Sequence, residues 1–225
     1  MKKRTAFIGA ILSLIPLGQT LLIKTSVVLS TTGLLVAMPE KVNAENASFY
    51  FNSGNDKYDA GDYYGAIFDF TKAIEIDPNY SNAYYNRAYA KEILEDHYGA
   101  IFDYSKVIEI NPREVDAYVN RGYSKHMIKD YESAIVDFNK ALTIDQNNAT
   151  AYNNLAWTKR MINDNYGAIF DATKAIQIDP NYSNPYLNRG VAKENLGDMN
   201  GACDDWRKAS FLGNEYTAEW VRKQC

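Results

Sequence analysis

An asparagine recurs every 34 residues through most of this 225-residue chain, at Asn52, Asn86, Asn120, Asn154 and Asn188. We call this series the asparagine ladder. A side-chain amide carries two N–H donors and a carbonyl acceptor, so a row of amides can bond the peptide groups of an extended chain without reading its side chains. Asparagine is a poorer helix former than alanine, so five copies in register suggest that something is gained from them. The alternative is that each amide bonds a neighbouring segment of its own chain, because tandem duplication copies any residue.

Aromatic side chains lie three residues beyond the asparagines in the middle of the series, at Tyr89, Tyr123 and Trp157. Aromatic rings give a binding surface rigid anchoring area. Together with the asparagine ladder they form the predicted peptide-binding set. Packing between neighbouring segments of the chain is the alternative role for these rings.

Residues suited to catalysis or metal binding are scarce. The chain has two histidines, His97 and His126, and no cysteine or carboxylate cluster at metal-ligand spacing accompanies them. It also lacks a phosphate-loop sequence and a nucleophile elbow. We therefore expect no enzyme activity, no cofactor and no metal site, and we interpret both histidines as surface residues.

The charge is unevenly distributed along the chain. The whole chain has a formal net charge of -4, but residues 1–44 hold five basic residues and one acidic residue. Residues 45–225 therefore hold 19 basic and 27 acidic residues, a net charge of -8. Because binding to nucleic acid needs a positive surface, we expect no nucleic-acid partner.

The first 44 residues differ from the rest and read as a leader. A basic start at residues 2–4 precedes apolar stretches at 6–23 and 27–38, and the segment ends in small residues at Ala44. This pattern predicts an export signal cleaved before Glu45, with an uncleaved membrane anchor as the main alternative. Both interpretations place the body outside the cytoplasm, in a periplasm or thylakoid lumen, and limit membrane contact to this segment. A third, an N-terminal core helix of the body, is disfavoured by the basic start.

The asparagines recur because the whole 34-residue segment around each of them is repeated. The motifs around Pro78, Pro112 and Pro180 share the register of this repeat, which sets five units at 47–80, 81–114, 115–148, 149–182 and 183–216. In the first unit, a first helical face near Tyr50 precedes an amphipathic stripe from Ala66 to Ile74. Each unit is therefore predicted to be a helical hairpin, and no room remains for a separate catalytic domain.

Several positions recur with the same chemistry in every unit. Small residues on the first helix and an alanine on the second let the two backbones approach closely. Large aromatic residues fill the space between hairpins at Phe70, Tyr104, Phe138 and Trp206, with Ala172 as the small exception. An aspartate precedes each second helix, where its carboxylate can accept hydrogen bonds from free N–H groups, at Asp62, Asp96, Asp130, Asp164 and Asp198.

These residues resemble the tetratricopeptide repeat (TPR) family, whose aromatic, small, alanine and proline positions match over residues 47–216, except that Gln146 and Asn214 stand where proline is expected. The resemblance implies an all-α fold, a right-handed superhelical solenoid with a concave groove lined by the first helices, and a role in binding protein segments. The asparagine ladder is similar to that of O-linked N-acetylglucosamine transferase, whose amides hold the backbone of an extended peptide. First helices such as 120–123 also resemble the tandem arrays abundant in cyanobacteria.

A second binding mode of the family is not expected here. The clamp for the C-terminal carboxylate of chaperone peptides needs Lys or Arg side chains pointing inward from three successive first helices. The corresponding positions hold Phe51, Tyr85, Val119, Asn153 and Leu187. We therefore expect no chaperone C-terminus as a ligand.

Two charged series predict surface features. An aspartate and a lysine lie three residues apart on each second helix, as at Asp69 and Lys72, which predicts exposed pairs worth a few tenths of a kcal/mol. We expect the lysines of the first helices to lay their aliphatic stems over apolar neighbours, at Lys57, Lys91, Lys125, Lys159 and Lys193.

The last residues predict a capping helix at 217–225, with Trp220 facing the fifth unit. The only cysteines, Cys203 and Cys225, each lie 11 residues from a turn near Asn214. Antiparallel helices would place both at about the same height, so we predict a disulfide, which an exported location would permit. Two unrelated thiols are the alternative.

The sequence thus predicts a non-catalytic adaptor that binds an extended segment of a protein outside the cytoplasm, for instance during assembly of an envelope or thylakoid complex. The alternative is a structural or self-associating array that binds folded partners through a convex acidic face.

Overall fold

The computed structural model describes residues 27–29, 35–37 and 40–225, with side chains from residue 46 onward. The chain divides into two units, Met1–Ala44 and Glu45–Cys225. In the first unit, strands β1 (Val27–Leu29) and β2 (Leu35–Ala37) pair antiparallel, with Val28 opposite Val36. The other predictions for the leader fall outside the described residues.

Eleven α-helices account for most of residues 40–225, and they include all five predicted hairpins. The helices are α1 (Glu40–Asp59), α2 (Tyr63–Ile76), α3 (Ser81–Ile93), α4 (His97–Ile110), α5 (Val115–Met127), α6 (Tyr131–Ile144), α7 (Ala149–Met161), α8 (Asn165–Ile178), α9 (Ser183–Asn195), α10 (Met199–Phe211) and α11 (Glu215–Gln224). Odd-numbered helices up to α9 are the first helices of the units, and even-numbered helices are the second. The predicted all-α fold class is confirmed for this part of the chain.

Each second helix begins where the sequence placed a capping aspartate. Asp62 accepts a hydrogen bond from the Gly65 N–H at 2.9 Å, and the aspartates of the other units make the equivalent bond. The carboxylate satisfies an N–H group that has no partner inside the helix, and its charge is favourable at the positive end of the helix dipole. The cap thus fixes the start of every second helix.

The core is built from small residues opposed to aromatic rings. Phe70, Tyr104, Phe138 and Trp206 are fully buried, as predicted. A Cβ atom on Gly122 would lie 2.7 Å from Cε1 of Phe138, closer than atoms can pack, so this approach requires glycine. The small residues on the first helices therefore set the distance between the two helices of a hairpin.

Consecutive helices pack against one another from α2 to α11. First helices of neighbouring units also meet directly, α5 with α7 and α7 with α9. This pattern, in which each unit contacts its neighbours in sequence, is that of a solenoid. The first helices consequently form one continuous surface.

The last helix covers the end of the array. The ring of Trp220 on α11 lies 5.3 Å from that of Trp206, which is fully buried. Cys203 and Cys225 are joined by a disulfide, with 5.6 Å between their Cα atoms. The bond closes a loop of 22 residues and holds the end of α11 against α10.

The interpretation of the second-helix aspartates as exposed partners of nearby lysines is wrong. These side chains, the buried aspartates, are at most 5% exposed: Asp69, Asp103, Asp137, Asp171 and Asp205. Each pairs with the lysine of its own first helix, as Asp103 does with Lys91 at 2.7 Å. The first-helix lysines are therefore ion-pair partners across the hairpin. The exposed Lys72 pairs instead with Glu75.

Among the helices that the structure describes, none is both long enough and apolar enough to cross a membrane.

Candidate peptide-binding site

Most members of the asparagine ladder already bond within the chain. The Nδ2 atom of Asn86 donates to Oδ1 of Asn55 at 2.7 Å, and that of Asn120 donates to the Tyr85 hydroxyl at 2.8 Å. In both cases the partner belongs to the preceding unit. The alternative weighed from the sequence, an amide that bonds a neighbouring repeat, is thus present at these positions.

The remaining ladder residues differ in exposure. Asn188 is 5% exposed and donates to Oδ1 of Asn153 at 2.9 Å. Asn153 in turn donates to Oδ1 of Asn154 at 3.2 Å, whereas Asn52 is exposed. The ladder is therefore not uniform, and its contact with a peptide stays a prediction.

The aromatic residues of the predicted set form part of a row of rings along the first helices. The Tyr89 ring lies 5.8 Å from that of Tyr58, and the Tyr123 ring lies 6.3 Å from that of Trp157. Tyr89 is 46% exposed, whereas Tyr123 and Trp157 are half-buried. The rings pack between repeats and also leave area for a ligand at Tyr89.

Two clefts open beside Tyr89. A cleft of about 290 Å³ is lined by Tyr85, Tyr89, Asp116, Val119, Asn120, Asn148 and Thr150. A second, of about 380 Å³, is lined by Asn55, Tyr58, Asp59, Asn86 and Tyr89. The structure thus brings Asn86, Asn120 and Tyr89 together at clefts, while the other predicted residues line neither one.

The clefts are acidic and rich in phenol groups. Asp59 and Asp116 each line one of them. Burial raises the pKa of both Tyr58 and Tyr85 to about 12, and it is reinforced mainly by the neighbouring phenol groups at Tyr58 and by the charge of Asp116 at Tyr85. Both hydroxyls therefore stay protonated at neutral pH and can donate hydrogen bonds.

The interpretation of His126 as a surface residue is wrong. It is 5% exposed, and its Nδ1 lies 2.8 Å from Oγ1 of Thr158 in the next unit. The Thr158 hydroxyl donates to the backbone carbonyl of Asn154, so it accepts from Nδ1–H of a neutral imidazole. Burial, followed by the charge of Arg160, lowers the pKa of His126 to about 4. His97 is half-buried.

A related link joins the second and third units. Glu92 accepts hydrogen bonds from the Tyr104 hydroxyl at 3.0 Å and from the Ser124 hydroxyl. Burial raises the pKa of Glu92, although both bonds favour its charged form. The sequence analysis missed the contact of His126 with Thr158 and that of Glu92 with Ser124. A signal for both was present, because in each contact the hydroxyl residue follows the titratable residue by 32 positions.

No group of three or more residues suited to hold a metal ion occurs in the part of the chain that the structure describes.

Family models match the first three units. Models described as Tetratricopeptide repeat match residues 81–114 and 115–148, and one described as TPR repeat matches residues 54–92. The chain is a tetratricopeptide repeat protein. The same repeat continues structurally through α7–α10, so the TPR array covers all five units.

Solved structures share this TPR fold. A crystal structure of MamA is 25% identical, with a TM-score of 0.69, and the match covers 78% of this chain and 96% of that one. YrrB, described as a TPR protein with an unusual peptide-binding site, is 18% identical with a TM-score of 0.66, covering 81% and 95%. The first TPR of Spaghetti (RPAP3), bound to the HSP90 peptide SRMEEVD, is 27% identical with a TM-score of 0.51, covering 53% and 94%.

Among curated proteins, none matches this TPR protein in sequence. The TPR fold indicates a scaffold for protein–protein interaction.

Proposed function

We propose that this TPR protein is a non-catalytic adaptor that holds an extended protein segment along its first helices, outside the cytoplasm. The observation that carries the proposal is the surface around Tyr89, where an exposed ring stands between two clefts that contain ladder amides. An aromatic ring supplies affinity, and amides beside it can bond a peptide backbone. The TPR of Spaghetti (RPAP3) holds a peptide, which supports binding of a protein segment by this fold, although that acidic chaperone peptide is not the kind of ligand proposed here.

The charge of the clefts narrows the ligand. Asp59 and Asp116 would repel an acidic segment, so a neutral or basic segment fits better. The inward positions Tyr85 and Val119 lack the positive charge that a C-terminal carboxylate needs. We therefore expect an internal segment of a partner, for instance a subunit awaiting assembly in an envelope or thylakoid complex.

A second candidate function rests on the other side of the hairpins. Aromatic residues on the second helices are between 57% and 77% exposed: Tyr64, Phe68, Tyr98, Phe102, Tyr166 and Phe170. Exposed apolar rows of this kind mark surfaces for protein contact. A folded partner or a second copy of this chain could pack on them.

A pair of matched variants separates the two functions. A photo-crosslinking amino acid placed at position 89 or at position 98 identifies a contacting segment in native membranes and their soluble contents. Binding of that segment, as a synthetic peptide, is then measured by calorimetry with wild type, Tyr89→Ala and Tyr98→Ala. The groove proposal expects Tyr89→Ala to weaken binding by about tenfold or more, while Tyr98→Ala has little effect. The reverse result would select the second-helix surface.

The location has its own test. The leader predicts cleavage between Ala44 and Glu45, which gives a mature protein that starts at Glu45. This bond lies within α1 (Glu40–Asp59). Mass spectrometry of the protein recovered from each compartment measures the start. Recovery of the intact chain from the soluble cytoplasm would refute export, whereas the intact chain in membranes would select the anchor.

A further inference from the structure

Three of the five units hold a guanidinium group in the same internal pocket. Arg87, Arg121 and Arg189 lie on first helices, at what we call the arginine position. Each makes a bidentate ion pair with the buried aspartate of its own unit and bonds a hydroxyl of the preceding unit.

The third unit shows the geometry. Nη2 and Nε of Arg121 lie 2.6 and 2.8 Å from the two oxygens of Asp137, and Nη1 lies 3.0 Å from Oγ of Ser105. The guanidinium carbon is 5.6 Å from the centre of the Tyr118 ring. Lys125 adds a second cation, 2.7 Å from Oδ2 of Asp137. The two carboxylate oxygens of Asp137, the hydroxyl of Ser105 and the face of the Tyr118 ring together form the guanidinium pocket.

The fourth unit keeps this pocket without its arginine. Leu155 occupies the arginine position, while Tyr152 and Asp171 occupy the places of Tyr118 and Asp137. Asn139 stands where the preceding unit otherwise has a hydroxyl, and its side-chain oxygen can also accept a hydrogen bond. Within residues 46–225, Asp171 has a single cationic partner, Lys159, at 2.7 Å.

A cleft opens at this place because leucine is shorter than arginine. Its volume is about 560 Å³, and it reaches both the buried carboxylate and the tyrosine. We call it the arginine cleft, and its lining residues are Asn139, Leu142, Thr143, Gln146, Tyr152, Leu155, Lys159, Phe170 and Asp171.

The carboxylate in the cleft is short of positive charge. Burial raises the pKa of Asp171, and although Lys159 opposes this, the charge of Asp164 adds to it. In the first unit, where the arginine is also absent, Ser53 fills the gap with a hydrogen bond of 2.6 Å to Asp69. In the fourth unit the described residues offer Asp171 no such substitute.

We propose that the arginine cleft receives an arginine side chain of a partner protein. The incoming guanidinium would take the place that Arg121 occupies one unit earlier, with N–H groups on Asp171 and Asn139 and its face toward Tyr152. The half-exposed ring of Phe170 lies at the cleft and can cover the aliphatic stem. This site is separate from the first-helix groove and does not depend on it.

Guanidinium fits the cleft better than ammonium. Lys159 already occupies the ammonium position beside Oδ2 of Asp171, so the remaining pocket matches a flat group with several donors. Arginine also stacks on aromatic faces more readily than lysine does.

Binding of small probes tests the assignment. We would titrate the full chain with acetylarginine amide while recording by NMR the methyl signals of Leu142 and Leu155, which both line the cleft, so that Leu142 still reports on variants at position 155. We expect saturable shifts, with a dissociation constant on the order of 1 mM, as one side chain alone can provide. Acetylcitrulline amide, which lacks the charge, should bind at least about tenfold more weakly. Free arginine should bind no more tightly than the capped probe, because the cleft is expected to contact only the guanidinium and its aliphatic stem.

Three variants serve as matched controls. Asp171→Asn should weaken the probe at least about tenfold, and Leu155→Arg should abolish binding by filling the cleft from within. Arg189→Leu should open an equivalent cleft beside Tyr186 and Asp205 and add a second saturable response. Each variant is first checked for native helicity.

Several results would overturn the assignment. One is the absence of shifts when the wild type is titrated with acetylarginine amide, whether or not Arg189→Leu responds. Equal binding of the citrulline probe would refute recognition of the charge, and undiminished binding to Asp171→Asn would refute the site. Tighter binding of free arginine than of the capped form would refute a protein side chain as the ligand.

Discussion

Acid should weaken the interface between the third and fourth units through one buried histidine. His126 is neutral in the folded protein and bonded to Thr158, and its ring lies 3.8 Å from that of Trp157 at an interplanar angle of 39°. Protonation would put a charge among these groups and near Arg160, and for that reason the pKa of His126 is lowered from 6.5 to about 4. A fall in pH from 7 to 4 therefore tests the contribution of His126, because the folded protein begins to protonate this residue only near pH 4.

The size of the effect follows from the pKa values. In the unfolded chain His126 takes up its proton near pH 6.5, whereas in the folded chain it does so only near pH 4. The unfolded state thus binds more protons between these values, and stability falls as the pH falls. The contribution of His126 is fully present above about pH 6.5, and the loss amounts to about 2 kcal/mol at pH 5 and about 3 kcal/mol at pH 4.

Urea denaturation followed by circular dichroism measures this loss. The wild type alone is not sufficient, because Asp69 also loses a stabilising contribution in acid: its pKa is lowered by hydrogen bonds from Lys57 and Ser53 that outweigh burial. His126→Gln is the matched comparison, since a glutamine amide can donate to Thr158 but does not titrate.

At neutral pH the variant should be less stable than the wild type by about 1–2 kcal/mol, through lost ring contacts. This difference should shrink and reverse on acidification, moving by about 3 kcal/mol in favour of the variant by pH 4. A difference that stays constant from pH 7 to pH 4 would show that protonation of His126 does not destabilise the folded protein.

Three further predictions concern stability. Asp103→Asn should lower the free energy of unfolding by about 3–5 kcal/mol because two buried cations lose their partner, and Asp171→Asn should cost clearly less; equal losses in urea denaturation would contradict this. Reduction of the disulfide at Cys225, compared with Cys225→Ser, should lower stability by about 3 kcal/mol in both cases; an unchanged melting curve would contradict its structural role. Gly122→Ala should cost about 1–3 kcal/mol through its clash with Phe138, and a gain in stability would show that the hairpin can relax there.

The fold could be predicted because its determinants are local and repeated. A hairpin places its small and aromatic residues at a fixed separation of 16 positions, so the pairing of Gly54 with Phe70 recurs as a small residue opposite an aromatic one in every unit except the fourth, which has Ala172. Capping depends on a single aspartate such as Asp62, and its position just before a helix is visible in the sequence. Each such feature involves residues of one unit only.

The ion pairs could not be found by the same reasoning. Asp69 and Lys72 lie three apart on one helix, which suggests a surface pair, but the carboxylate faces inward to Lys57 on the other helix. Helical periodicity describes neighbours on one helix and does not say which of two polar residues faces the partner helix. A clue was present across units, since Leu155 and Asn139 depart together from the arginine–hydroxyl pattern.

The asparagine ladder shows a different limit. Its positions on the first helices were evident from the repeat, but Asn120 donates to Tyr85 of the preceding unit. Whether an amide meets a ligand or a neighbouring unit depends on the distance between units, which the period does not specify. Within the predicted peptide-binding set, the exposed Tyr89 and its two clefts mark a place where a ligand has room.

Stability and binding make opposite demands on the fourth unit. A buried carboxylate with one cation is less favourable than one held by two, so an arginine at position 155 would suit the fold. The chain instead has Leu155 there and keeps the rest of the pocket: Tyr152, Lys159 and Asp171. Packing alone does not require that combination, because an apolar residue in place of Asp171 would remove the unbalanced charge. A pocket that keeps its carboxylate, its tyrosine and a third hydrogen-bond acceptor but lacks a guanidinium is the expected outcome where a partner supplies that group, since a site filled from within has nothing left to bind.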